Sequence, residues 1–210
     1  MMADSFQNYL KSTQYFDYNA PIVREFAEEN SNSQDTPTKM AVDLYIASRD
    51  KIRYNPYTFS RLEEHMSASY TLEHKQAYCI PKAVVLGALA RYRGIPSRLG
   101  LADVTNHLSD EKLIKHLRSE IFVMHGFIEL YLEGKWVKAT PAFNATLCEH
   151  LGVAPLEFNG KEDSIFQEFD HDGKKFMEYL KDHGTFDDVP MDFIRSSLQT
   201  AYPHLFENQS

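Results

Sequence analysis

Hydrophobic residues recur at helical spacing in two stretches of the first quarter of the chain. One stretch follows Pro21, and the next begins after a polar run and carries Met40 and Leu44. Thr36 before Pro37 has the chemistry of an N-cap followed by a first helical residue. The pattern therefore predicts two helices, and the second ends near position 53.

The stretch from 79 to 93 is small or apolar at almost every position, which is typical of a helix packed on several sides. Pro81 suits its first turn, and Gly94 suits its C-terminal end. This pattern predicts a central buried helix with Cys79 at its N-terminus.

Two alternating stretches, 125–132 and 135–140, flank the dipeptide Glu133-Gly134. Alternation is the pattern of a half-buried strand, and a Gly-containing dipeptide between two such strands is typical of a tight turn. We predict a β-hairpin.

The hairpin turn fixes which residues face each other. A two-residue loop places Leu132 opposite Lys135 and, counting back, Phe127 opposite Thr140. His125 and Thr140 then project from the same sheet face as diagonal neighbours, a separation that side chains can bridge.

The remaining pattern is weaker. It predicts strands at 99–104 and 156–158, a charged helical insertion around 109–119, and terminal helices at 176–180 and 193–198.

Composition limits the class of protein. With 210 residues, 43% of them hydrophobic, we expect one domain with one core. A formal net charge of -8 argues against nucleic acid and against an anionic membrane as partners. The N-terminus has no cationic stretch followed by an apolar run, so we expect a cytoplasmic protein. Two cysteines are too few for a disulfide framework.

Cys79 is the first candidate for chemistry. Backbone N–H groups at a helix N-terminus favour a thiolate and can hold an oxyanion. A cysteine beside a helix is more often a structural residue, so the assignment needs a base, and His125 at the start of the hairpin supplies one.

Several segments together resemble the transglutaminase-like superfamily, in particular its bacterial-type, single-domain members. The segments are 41–54, 69–72, 77–83, 94–98, 125–137 and the dipeptide Thr140-Pro141, and the similarity covers about 38–144.

The resemblance implies an α+β, papain-like core in which a central helix carries the nucleophilic cysteine and packs on an antiparallel sheet that supplies the histidine. Residues 1–37 would then form an N-terminal cap and 145–210 a C-terminal helical extension. The implied activity is acyl transfer or hydrolysis at the amide bond of a protein or peptide, without a cofactor or metal ion.

The third catalytic position departs from the family pattern. An Asp before Pro usually stands there, and this chain has Thr140 before Pro141. A hydroxyl can fix the histidine tautomer, although it cannot stabilise imidazolium by charge. We rank Thr140 first as the orienting residue and Asn144 second.

Three other residues are weaker candidates. Gln76 is either an oxyanion donor or a surface residue, Trp136 is either core packing or a wall of the acyl site, and His107 is a candidate to line the cleft. The aromatic N-terminal segment either packs on the core or covers the cleft. Because the Asp is missing, a binding module without catalysis is the alternative function.

Overall fold

The protein has an α+β fold in which helices surround one helix that packs on an antiparallel sheet. The computed structural model describes residues 6–60, 62–106, 111–165 and 177–206. The helices are α1 (Pro21–Asn30), α2 (Pro37–Asp50), α3 (Ala68–His74), α4 (Cys79–Tyr92), α5 (Glu111–Leu117), α6 (Ala145–Leu151) and α7 (Met191–Ala201). The strands are β1 (Arg53–Tyr54), β2 (Gln76–Ala77), β3 (Ser97–Asn106), β4 (Ile121–Leu132), β5 (Lys135–Ala139) and β6 (Met177–Phe186).

The main sheet has the strand order β5-β4-β3-β6, with every neighbouring pair antiparallel. Helix α4 packs against β4 and β3, and helices α1, α2 and α3 enclose its other sides. Every residue of α4 from Cys79 to Arg91 is buried, as the apolar pattern predicts.

The sequence signals for the helix ends are confirmed. The Thr36 side chain accepts a hydrogen bond from the Lys39 N–H, at 3.2 Å, and Pro37 begins α2. Gly94 follows α4 with a φ of 73°, a left-handed conformation that glycine adopts at little cost.

The hairpin prediction is also confirmed. Glu133 and Gly134 both have positive φ, and Leu132 faces Lys135. Pairing with β4 ends at Ala139, because the Thr140 N–H turns away and donates to the Ser164 carbonyl at 2.9 Å. The hairpin therefore stops one step before the expected pair of Phe127 and Thr140.

Two predictions for the C-terminal third are wrong. The helix expected at 176–180 falls within β6 from Met177 onward, which pairs along β3 at the edge of the sheet. Residues 156–158 form no strand, and a single bridge between Ala139 and Ser164 ties this loop to the sheet. The extension after 145 is therefore not purely helical.

A segment near the N-terminus and the segment that follows β6 are both tied to α4 through Arg91. Its guanidinium lies 3.9 Å from the centre of the Phe16 ring, and it donates to the carbonyls of Lys11 and Asp187. The N-terminal aromatic residues thus pack on the core. No helix in the described ranges is long and apolar enough to cross a membrane.

Candidate active site

Cys79 is the first residue of α4, and its position is set by the short parallel pairing of β1 with β2. This pairing fixes the backbone directly before Tyr78, which is extended and serves as the N-cap. The first N–H groups of a helix have no partner within the helix. The Cys79 side chain therefore begins beside unpaired donors, and the residue is 9% exposed.

Strand β4 carries His125 directly over the first turn of α4. Gly126 allows this approach, because a Cβ atom at that position would lie 2.8 Å from the Cα of Ile80. Any side chain there would force the strand and helix apart.

A bulge in β4 precedes His125. Met124 has a φ of 62°, which costs a non-glycine residue about 1 kcal/mol or more. The Met124 N–H donates to the Asp103 carboxylate at 3.1 Å, and the β3–β4 register shifts between Ala102 and Val104. Bulges of this kind redirect a side chain next to functional sites. Here the bulge sets the direction of His125.

Cys79 and His125 line the same cavity, which has a volume of about 90 Å³. No hydrogen bond joins the Cys79 sulfur to the His125 ring within the described part of the chain. Such contacts are often long in unliganded enzymes and tighten when a substrate binds. The structure therefore places the expected nucleophile and base at one cavity without a direct bond between them.

The electrostatics of the cavity favour neutral groups. Burial raises the pKa of the Cys79 thiol to about 11, against opposing hydrogen bonds from the backbone N–H groups of Gly126, Ile80 and Cys79 itself. Burial likewise lowers the pKa of His125 to about 4. The expectation that the helix N-terminus favours a thiolate is therefore outweighed by desolvation, and the resting pair is a thiol and a neutral imidazole.

Two tyrosines stand beside the sulfur. Burial raises the pKa of both Tyr54 and Tyr78 well above the ordinary value, and the nearby Cys79 raises each further. The Tyr78 hydroxyl donates to the Met66 sulfur at 3.4 Å. Both phenols therefore remain protonated, so they add no charge to the cavity.

Thr140 and His125 meet at a second, much smaller cavity of about 10 Å³. Thr140 Oγ1 and His125 Nε2 are both buried without a hydrogen-bond partner. Both residues therefore border the same small cavity, although the hairpin pairing ends before Thr140. The expected direct hydrogen bond between them is absent.

Asn144 is occupied elsewhere. Its side-chain oxygen accepts from the Tyr54 N–H at 3.0 Å, and its amide donates to Thr146 Oγ1 at 2.6 Å. Asn144 therefore fastens β1 to the start of α6 and gives no hydrogen bond to His125.

Two of the three weaker candidates, Gln76 and Trp136, do not join this site. Gln76 accepts hydrogen bonds from Arg53 and Asn55, and it is not among the described residues that line the cavity of Cys79 and His125. Trp136 packs instead in an aromatic cluster, with Tyr9 at 5.1 Å and the Arg98 guanidinium at 4.1 Å. His107 lies outside the described residues.

The C-terminal segment supplies a wall that the sequence did not indicate. The Tyr202 hydroxyl donates to the Ile121 carbonyl at 2.6 Å and accepts from the Val123 N–H at 2.8 Å. These bonds fasten the end of α7 to β4 just before His125. Leu198, Tyr202 and Phe206 thereby line the cavity. The C-terminal segment thus borders the cleft that the N-terminal segment was considered to cover.

The family model of the transglutaminase-like superfamily matches residues 24–141, more than half of the chain. None of the curated proteins compared with the chain matches it.

Among solved structures, the fold is similar to that of a protein described as a "putative cysteine protease" from Cytophaga hutchinsonii, with a TM-score of 0.51 and 13% identity. The similarity covers 87% of this chain and 54% of that protein, so the chain spans about half of its length. At this identity, the likeness shows the fold.

Proposed function

Because the chain belongs to the transglutaminase-like superfamily, we propose that it catalyses cysteine-dependent acyl transfer or hydrolysis at an amide bond. The observation that carries this proposal is the shared cavity of Cys79 and His125, with the backbone N–H groups of Ile80 and Gly126 directed to the sulfur. A nucleophile, a base and preorganised donors are the parts that acyl transfer requires.

In the first half-reaction the Cys79 sulfur attacks the amide carbonyl carbon. His125, neutral at rest, takes the thiol proton as the S–C bond forms and gives it to the departing amine as the C–N bond breaks. Backbone N–H groups stabilise the intermediate oxyanion. A thioester on Cys79 and a free amine result.

In the second half-reaction water or an amine attacks the thioester carbonyl. His125 takes a proton from the incoming molecule and returns it to the sulfur as the S–C bond breaks. The product is a carboxylic acid when water attacks and a new amide when an amine attacks.

We assign Thr140 as a positioning residue for His125. Buried polar atoms normally have partners, and the unpaired Thr140 Oγ1 and His125 Nε2 border a cavity with room for about one water molecule. A water molecule that joins the two atoms would fix the imidazole ring, because a bridged hydrogen bond is nearly as favourable as a direct one.

This role is tested by three substitutions and a pH–rate profile. Thr140→Val keeps the shape of the side chain without the hydroxyl and should lower kcat. Thr140→Ser keeps the hydroxyl and should retain the wild-type kcat. Thr140→Asp places a carboxylate beside the ring and should raise the pKa of His125 from about 4, moving the acid limb of the profile to higher pH. Equal activity and superimposable profiles in all four proteins would refute the role.

The enzymatic activity is tested with a library of fluorogenic peptide amides, with water or hydroxylamine as the acceptor. Cys79→Ser and His125→Gln should each lower turnover by about a thousandfold or more. Cys148→Ala is the matched control, because that thiol is buried elsewhere and contacts the Phe143 carbonyl. Turnover that survives in Cys79→Ser would refute the proposal.

A binding module without catalysis is the second candidate. Thr140 in place of a carboxylate leaves His125 Nε2 unpaired and removes charge stabilisation of the imidazolium, which favours this candidate. Library peptides would then bind with equal affinity to the wild type and Cys79→Ser, as measured by calorimetry, and none would be cleaved.

A further inference from the structure

The cavity that holds Cys79 and His125 is enclosed mainly by aliphatic and aromatic side chains. No lysine, arginine, aspartate or glutamate lines it among the described residues, although the chain as a whole carries 22 basic and 30 acidic side chains. The apolar walls come from separate segments and include Phe59, Leu113, Leu117, Phe122, Leu198 and Phe206.

Among the described residues of the lining, the nitrogen-bearing side chains are the imidazoles of His116 and His125, and no carboxylate is present to pair with an ammonium group. Transferring a carboxylate or ammonium group from water to an apolar site is costly unless an opposite charge pairs with it. The walls thus discriminate against charged substrates and gain free energy from each methylene group that they cover.

The volume of the cavity limits the length of the substrate group that can enter it. An engineered apolar cavity of about 150 Å³ accommodates benzene, with six carbon atoms. In proportion, the cavity of about 90 Å³ accommodates roughly three or four carbon atoms beyond the reacting carbonyl. A longer chain would have to displace a wall or leave the cavity through its open side, where it makes no further apolar contact.

We propose that this cavity binds the acyl side of the substrate and selects a short, uncharged, apolar acyl group. This inference rests on the proposed function and adds the substrate class. Leu198, Tyr202, Leu205 and Phe206 lie beyond the stretch matched by the family model, so part of the selectivity would come from the C-terminal segment.

The test uses p-nitrophenyl esters, whose acyl group can be varied while the leaving group stays constant. The Cys79 sulfur attacks the ester carbonyl, p-nitrophenolate leaves, and water then releases the carboxylic acid and restores the thiol. We expect kcat/KM to rise about tenfold from acetyl to butanoyl, to peak at butanoyl or pentanoyl, and to fall for octanoyl.

A matched pair of esters tests the charge. The hemiglutarate ester has the chain length of the pentanoate ester, with a carboxylate in place of the terminal methyl group. We expect its kcat/KM to be at least about tenfold lower than that of the pentanoate. Leu117→Lys, which places an ammonium group at the half-buried wall position, should reduce this difference.

Two more variants relate the length limit to the wall. Leu198→Ala enlarges the cavity and should move the peak toward octanoyl, whereas Leu180→Ala changes a side chain that is 52% exposed and lies outside the cavity, and should leave the peak unchanged. A change in the peak with Leu180→Ala but not with Leu198→Ala would overturn the assignment of the wall.

Cys79→Ala separates failure of this inference from failure of the proposed function. If ester hydrolysis depends on Cys79 but shows no length optimum, or if the hemiglutarate reacts as well as the pentanoate, the acyl selectivity is wrong and the proposed function stands. If no ester is hydrolysed in a Cys79-dependent manner, both are wrong.

Discussion

A Cβ atom at Gly126 would lie 2.8 Å from the Cα of Ile80, a separation that real Cβ atoms do not tolerate. The backbone of β4 therefore touches the first turn of α4 at the residue next to His125 and the residue next to Cys79. Since Gly126 and Ile80 are fixed by this contact, it holds the adjacent His125 and Cys79 at one cavity.

Gly126→Ala should separate β4 from α4 and lower the Cys79-dependent turnover by about a hundredfold, because misplacing a catalytic group by about 1 Å can have an effect of that size. Steady-state kinetics on a folded variant measures this change. Gly152→Ala is the control, since its φ of 67° makes alanine strained there while no atom obstructs the added methyl group. Equal kcat in both variants would contradict the contact's role.

Tyr202→Phe should loosen the C-terminal wall. It removes the hydroxyl that bonds to the Ile121 carbonyl and the Val123 N–H, and leaves those two strand groups without this partner. We expect iodoacetamide to alkylate Cys79 several-fold faster in this variant, as followed by peptide mapping. Tyr92→Phe, which loses only a surface bond to Glu28, should react at the wild-type rate. An unchanged rate in Tyr202→Phe would show that the wall does not control access.

His125 should make the fold sensitive to acid. Its folded pKa of about 4 lies below the ordinary value of 6.5, so the unfolded chain binds more protons between these values. The contribution of His125 to the free energy of unfolding is complete above about pH 6.5 and is lost as pH falls toward 4. Its total is about 3 kcal/mol.

Urea unfolding at intervals from pH 7 to pH 4 measures that contribution. His125→Gln should flatten the decline in unfolding free energy over this range, whereas a glutamine in place of the exposed His150 should leave it unchanged. An equally steep decline in His125→Gln would contradict burial of a neutral imidazole.

Lys82 should give a stability dependence in alkaline solution. Its ammonium group is buried one turn after Cys79 and donates to the carbonyls of Arg49 and Ile52. Burial lowers the pKa of Lys82 from 10.5 to about 7, so the unfolded chain binds more protons between these values. The unfolding free energy of the wild type relative to Lys82→Met should therefore rise from pH 7 to pH 10. A constant difference would contradict the lowered pKa.

The sequence predicts the elements whose signals are local. Thr36 caps α2 by its own side chain, and the turn at Glu133 and Gly134 sets the register of the hairpin without help from distant residues. The apolar pattern after Cys79 likewise predicts a buried helix because it surrounds the helix on all sides.

Elements that depend on distant partners could not be predicted in this way. The segment Met177–Phe186 has residues at helical spacing near its start, yet the free edge of β3 provides backbone hydrogen bonds that make it a strand. The wall formed by Tyr202 depends on bonds across about 80 residues. The close approach of β4 to α4 is marked in the sequence by Gly126, because a glycine inside a strand often indicates a close backbone approach.

In the proposed mechanism Cys79 forms the acyl intermediate, and His125 activates the Cys79 thiol for the attack. Intact-mass and peptide-mapping measurements after rapid acid quenching of a reaction with p-nitrophenyl butanoate test it most directly. We expect a butanoyl group on Cys79 that appears within the first turnover, is absent from Cys79→Ser and forms about a hundredfold more slowly in His125→Gln. A butanoyl group on Cys148, or acylation of Cys79 at the same rate in His125→Gln, would contradict it.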